Sequence, residues 1–197
     1  MQVLLVESRS GAGRTVESRL VDAGHRVVRC FDSDRAVACR GAAGDTCPID
    51  EGEIDVALVV RDAEARPQLT EMGAACALRH HLPVAEIGGS PASPFAGTIP
   101  QIDADPVTVA EHAIAVGLDE FSAELTAVIR ALPDLVGRAP REVAAQVFRR
   151  KGALELMLTL PADLTEAMIS NVSTWAARAA RDRDSITPVI DISVRRV

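Results

Sequence analysis

The heptapeptide IDVALVV at 54–60 restricts the fold more than any other stretch of the chain. Beyond Asp55 both alternating faces are apolar, so a strand built from it has no side to give to water. Such a strand belongs inside a parallel sheet covered by helices on both faces. Four more segments read as its neighbours: Gln2 to Val6 (QVLLV), Arg26 to Cys30 (RVVRC), Pro83 to Ile87 (PVAEI) and a weaker Gly97 to Ile102. Helical patterns stand between most of them. Residues 13–23 place Val16, Leu20 and Val21 on one face, with Gly24 suited to the C′ position. A short helix is expected near Ser33 to Cys39, followed by a polar, glycine-rich loop at 41–53. Pro67 can open the next helix, with Leu69, Met72 and Cys76 on one face, and Asp105 and Pro106 suit the N-cap and N1 of another through Val116. Five strands with interleaved helices predict an α/β domain over 1–116, an open doubly wound, flavodoxin-like parallel sheet.

The remainder, 117–197, reads as a separate small α+β module. Gly117 is expected to break the preceding helix. Leu118, Phe121, Leu125, Ile129 and Leu132 then mark an amphipathic helix closed by Pro133. Pro140 is expected to open a helix over 140–150, with Val143, Ala144, Val147 and Phe148 inward. In GALELMLTLP the leucines 154, 156, 158 and 160 alternate with other residues, a strand with one apolar face. Asp163 and Glu166 suggest a capping box before a long helix. Its stripe is Leu164, Met168, Val172, Trp175 and Ala179, which predicts a buried Trp175. RDRD at 181–184 reads as a charged turn, and Ile186 to Val197 alternates again as a strand. The expected order is α-α-β-α-β, with two strands that would be parallel as direct neighbours. A two-stranded sheet is marginal alone, so edge pairing of two copies into a C2 homodimer is expected.

Charge excludes some functions. Of the 197 residues, 1–116 hold 10 Arg against 17 acids, whereas 117–197 hold 11 Lys plus Arg against 11 acids. An acidic first half suits nucleic acid poorly, because phosphate contacts supply most of that affinity. With one Trp and no Tyr, a base-stacking platform is not expected either. No apolar run approaches the ~20 residues of a membrane span, and no signal peptide is apparent. Cys30, Cys39, Cys47 and Cys76 are irregularly spaced, so reduced thiols and a cytoplasmic protein are the expectation. The spacing of Cys76 and His80 fits two ligands on one helix face. Without a CxxC pair, a buried thiol beside a solvent-facing histidine is the plainer reading, and no metal or cofactor is expected. FRRKG at 148–152 is the one basic run, read as a solvated helix end. There is no G-x-S-x-G elbow and no Cys-His signature of a nucleophilic enzyme.

The stretches VLLVES, ESRLVDAGHRVVRC, DVALVVRD and LPVAEIG together resemble a response-regulator receiver domain over 1–116. That resemblance implies an acceptor aspartate at the end of the third strand. It also implies an acidic pair after the first strand, a Ser/Thr after the fourth and a Lys after the fifth, all serving phosphoryl transfer. This chain departs from the pattern at nearly every point. Glu7-Ser8 leaves one carboxylate of the pair, Val60 occupies the acceptor's place, and Asp62 lies two residues beyond. Ser90 is the nearest hydroxyl after the fourth strand, behind Gly88 and Gly89, and no lysine precedes Lys151. GGSPASPFA leaves no room for the usual fourth helix. The resemblance thus implies a pseudo-receiver, a non-enzymatic regulatory or scaffolding protein acting through protein–protein contacts. The end of the chain faintly resembles the C-terminal part of the alkaline-shock protein family, with no motif that carries a function over.

The loop SRSGAGRT at 8–15 holds the alternative. It keeps Gly13 and Thr15 of a phosphate-binding loop but has Ser8 for the first glycine and Arg14 for the lysine. A structural turn is the simpler reading. The competing one is a small-anion or nucleotide sensor in which Ser8, Gly11, Arg14, Arg61, Gly88 and Ser90 converge at the sheet's C-terminal edge. A DNA-binding regulator ranks behind both, since the element order suits neither a winged helix nor a helix-turn-helix.

Overall fold

The structure is a computed structural model that describes residues 1–31, 39–51, 54–62, 65–88, 93–150, 153–185 and 187–197, with the side chain of Arg150 excepted. The helix expected near Ser33 to Cys39 falls mostly outside these residues, as do Ser90 and Lys151. The chain divides into two compact units, Met1–Ala115 and Val116–Val197.

The first unit holds five parallel strands: β1 (Gln2–Glu7), β2 (Arg26–Val28), β3 (Val56–Val60), β4 (Val84–Ile87) and β5 (Gln101–Ile102). They pair in the order β2-β1-β3-β4-β5, the flavodoxin-like order. Central β3 is buried at all five positions, as its two-faced hydrophobicity requires. Val3, Leu5, Val56, Leu58 and Val60 form one face of the sheet. They pack with Val16 and Leu20 of α1 (Arg14–Asp22), and with Val109, Ala110 and Ala113 from the first turns of α3 (Pro106–Arg130). On the other face lie Leu4 and Val6, against α2 (Met72–Arg79), where Gly73 leaves the space that Cys30 and Val6 occupy. A 3-10 turn at Leu69–Glu71 leads into α2, so Pro67 does not open the helix directly. Gly24 has φ +81°, the C′ geometry expected of it. Between β4 and β5 the described residues 93–100 form turns and no helix. Gly117 is a correction: α3 runs unbroken from Pro106 to Arg130. Helical hydrogen bonding absorbs a single interior glycine at a cost of about 1 kcal/mol.

The second unit is a three-stranded sheet ordered β6-β7-β8. Residues 144–150 are a strand, β6 (Ala144–Arg150), antiparallel to β7 (Ala153–Leu160), and not the helix expected there. Val143, Ala145 and Val147 are all buried, so the true period is two, and pairing with the leucine strand overrides the i, i+4 match of Val143 and Val147. The element order is therefore α-β-β-α-β. β8 (Val189–Arg196) pairs with β7 in parallel. The leucines of β7 are buried with Phe121, Leu125 and Ile129 of α3 and with α4 (Glu166–Arg183). Thr165, not Asp163, caps α4 by accepting the Met168 N–H, and α4 absorbs Arg181 to Arg183 before ending at Asp184. Its buried stripe is Ile169, Val172, Ala176 and Ala180, leaving Trp175 49% exposed with the Arg178 guanidinium 5.6 Å from its ring centroid.

The two edges of this sheet differ. The Ala145 N–H of β6 donates to Thr126 Oγ1 at 2.8 Å and the Val147 N–H to Ser122 Oγ at 2.9 Å, so hydroxyls of α3 satisfy that edge. Arg149, expected in a solvated basic run, instead turns to a buried corner. Its guanidinium pairs with Asp184 and donates to Thr187 Oγ1 at 2.9 Å. Thr187 in turn donates both its N–H and its hydroxyl to Asp184. Burial pushes the Asp184 carboxyl up, but the charge of Arg149 and the Thr187 bonds outweigh it, so the group lies below the usual aspartate value.

Candidate functional site

Parallel strands end their backbone at one edge of a sheet, and loops after β1, β2 and β3 gather there. The loop Ser8 to Gly13 follows β1 and delivers the chain to α1. Gly11 takes φ +85°, which a side chain would strain. Glu7, the last residue of β1, reaches forward to the helix it precedes: its Oε1 accepts the Gly13 N–H at 2.6 Å. A Cβ on Gly13 would stand 2.9 Å from Leu5 Cδ2 and 3.0 Å from Glu7 Oε1, so a larger residue would have to displace one of these side chains. An anion-binding loop offers its amides to a ligand; here one of them is already held by the chain's own carboxylate.

The other Glu7 oxygen accepts from Arg29 Nε at 3.1 Å, and Arg29 also grips Glu17 of α1 through a bidentate pair at 2.5 and 2.8 Å. Hydrogen bonding to Arg29 is the chief cause that holds the Glu17 carboxyl below its usual value, and the same pairing raises Arg29. This triad joins β1, α1 and the end of β2. Beside it lies an open cleft of about 640 Å³ whose lining includes Ser10, Gly11, Arg14 and Arg40. Arg14 and Arg40 are exposed and have no ion pair among the described residues. Counting Arg14, Arg29 and Arg40 against Glu7 and Glu17 leaves the lining one positive charge in excess.

Of the six residues expected to converge, the five described ones are divided between the cleft and other positions. Gly11 and Arg14 line the cleft. Ser8 is fully buried and joins the β1 and β3 loops: its N–H donates to the Val60 carbonyl, its Oγ accepts the Asp62 N–H at 3.1 Å, and its carbonyl accepts the Thr70 hydroxyl. Arg61, with a side chain 0% exposed, forms an ion pair with Glu71, itself 3% exposed, and donates to the Ala65 carbonyl at 2.6 Å. Gly88 ends β4 with φ +81° and open space around it, a turn residue. Ser90 lies outside the described residues.

Sequence reasoning passed over Arg29, Glu17 and Arg40. The signal available was charge: Arg29 is a cation closing a strand that shares its sheet edge with Glu7, and Glu17 stands one helical turn past Gly13. Val60 ends β3, and Asp62 two residues beyond it is paired with Arg9. Cys76 lies within α2 and His80 just past its end, where His80 Nε2 approaches Asp50 Oδ1 at 4.0 Å. Among the described residues, no three His, Cys, Asp or Glu side chains are grouped as metal ligands. Nor is any helix among them long and apolar enough to cross a membrane. No protein-family model matches the chain, and a search of curated proteins found no match.

Proposed function

We propose that the chain is a non-enzymatic, cytoplasmic regulatory or scaffolding protein whose first unit is a receiver-like domain without receiver chemistry. The observation that carries this reading is the state of the carboxylates at the sheet's C-terminal end. Glu7 is engaged by Gly13 and Arg29, Asp62 by Arg9, and Glu71 by Arg61. With valine at the place the resemblance gives to the acceptor and no lysine before Lys151, the residues that receiver phosphotransfer requires are replaced, which supports a role for the domain's surfaces. Its net charge of −7 suits a partner with a basic face. The test is intact-mass analysis after incubation with acetyl phosphate and Mg²⁺. No adduct is expected; a stable phosphoryl group on Asp62 would refute the reading.

A second reading rests on the cleft. Arg14 and Arg40 give it two cations without partners among the described residues, which favours a small anion. Phosphate, pyrophosphate and nucleotides should then raise the melting temperature of the wild type, and Arg14→Ala with Arg40→Ala should abolish the shift. No response from any of them removes this reading. The homodimer is retained on a new footing. The two-stranded sheet first invoked is in fact three-stranded, and its β6 edge is closed by hydroxyls. The eight-residue β8 at the other edge carries exposed Val189 and Val194. Light scattering of the full chain should give twice the monomer mass, and Val194→Lys should reduce it to one.

A further inference from the structure

All four cysteines of the chain come together in the first unit, although the sequence scatters them. The Arg40 N–H donates to the Cys30 carbonyl at 2.8 Å, which sets Cys39 beside the end of β2. Cys39 and Cys47 flank Gly41. A Cβ at that glycine would stand 3.8 Å from Cys39 Sγ and 3.4 Å from Cys47 Cβ, so those two atoms are at most 7.2 Å apart, the two distances laid end to end. Cys30 is buried against Gly73 of α2, three residues before Cys76. The chain between Cys39 and Cys47 curls back through turn bonds, Ala43 N–H to the Cys39 carbonyl and Asp45 N–H to the Arg40 carbonyl, and this curl brings the two side chains to one place.

We infer that Cys39 and Cys47 are a thiol modification site, a dithiol that closes to an intramolecular disulfide by exchange with a low-molecular-weight disulfide of the glutathione class. Both are partly exposed, whereas Cys30 is buried. Burial first, and then the neighbouring thiols, push Cys30 up to about 11, and burial also raises Cys76. Both shifts lower the thiolate fraction available for exchange at Cys30 and Cys76. In the first step one thiolate attacks a sulfur of the small disulfide, forming a mixed disulfide and releasing one small thiolate. In the second, the other cysteine's thiolate attacks the protein sulfur of that mixed bond and expels the second small thiolate. Two cysteine protons pass to the two departing thiolates, so the protein loses two hydrogens and the reagent gains them. Arg40 adjoins Cys39 and lines the cleft, so the bond would fix that cation at its rim.

The test uses the full chain equilibrated with mixtures of glutathione and glutathione disulfide, quenched in acid, alkylated and digested with trypsin. Trypsin cuts after Arg40, between the two cysteines. The bond should therefore appear as peptide 36–40 joined to peptide 41–61, separated again by dithiothreitol. It should form without dimeric mass on a non-reducing gel and persist in the Cys30→Ser/Cys76→Ser variant. The wild-type peptide map decides the matter even if a variant fails to fold. Four alkylated cysteines at every ratio, a bond to Cys30 or Cys76, or links only between copies would overturn the inference. So would zinc released in proportion to thiol modification, which would make the cluster a metal site.

Discussion

Replacing Glu71 by alanine should destabilise the first unit severely, because the change strands a positive charge. Arg61 has no exposed side-chain surface, and Glu71 is its only charged partner among the described residues. Breaking a buried pair from one side costs about 3–5 kcal/mol. Glu71 also accepts the Gln68 N–H at 2.8 Å with its other oxygen, and losing that bond adds about 1 kcal/mol. A domain holds only about 5–15 kcal/mol in all. With a urea slope near 2 kcal/mol/M, a loss of about 5 kcal/mol moves the midpoint by about 2.5 M. The informative comparison is Arg61→Met with Glu71→Leu, which removes both charges and keeps the volume. That double variant should recover most of the loss. Urea titrations followed by far-UV circular dichroism give all the values for the cycle. A Glu71→Ala cost below about 1 kcal/mol, or a double variant as weak as the single, would refute the claim that Arg61 is a structural charge.

The Asp184 carboxyl has a folded value below its ordinary 3.8, so its contribution is fully present above that value and fades as pH falls through the folded one. Asp184→Asn should cost about 1.5–3 kcal/mol at neutral pH, and the gap from wild type in urea midpoint should narrow at about pH 3. Gly73→Ala should cost about 1–3 kcal/mol from overpacking, since the new Cβ would meet Cys30 Sγ at 2.7 Å and Val6 Cγ2 at 3.0 Å. Adding Cys30→Ala to it should return part of that loss in the same titration.

The first unit was largely legible because a parallel sheet leaves a signature in single strands: VALVV is apolar on both faces and is buried on both. The second unit misled where one pattern served two periods. Val143 and Val147 are four apart, which suits a helix, but Ala145 between them is equally buried and decides for the strand. The Trp175 error came from starting the stripe at Leu164, a residue outside α4; dropping it rotates the buried face onto Ile169, Val172 and Ala176. At the candidate site, Gly11 and Arg14 were legible as a loop entering a helix. The ion pairs were not, because the positions that Arg29 and Arg61 reach depend on strand order and on which side of the sheet each loop leaves. Sequence shows a charge without showing its partner.

The mixed sheet of the second unit also dictates an order of events in folding. β6 and β7 are joined by the two residues 151–152, so their antiparallel pairing is local and can form in about 1–10 μs. β8 cannot follow directly, since its parallel pairing with β7 requires the crossover from Pro161 to Pro188, α4 included. Closing that longer loop is slower and is repaid only when the helix packs. Until then the four leucines of β7 stand on a hairpin with one flank open. If α4 docks slowly, that open hairpin is the species exposed to aggregation, and Thr165→Ala, which removes the cap of α4, would lengthen its exposure.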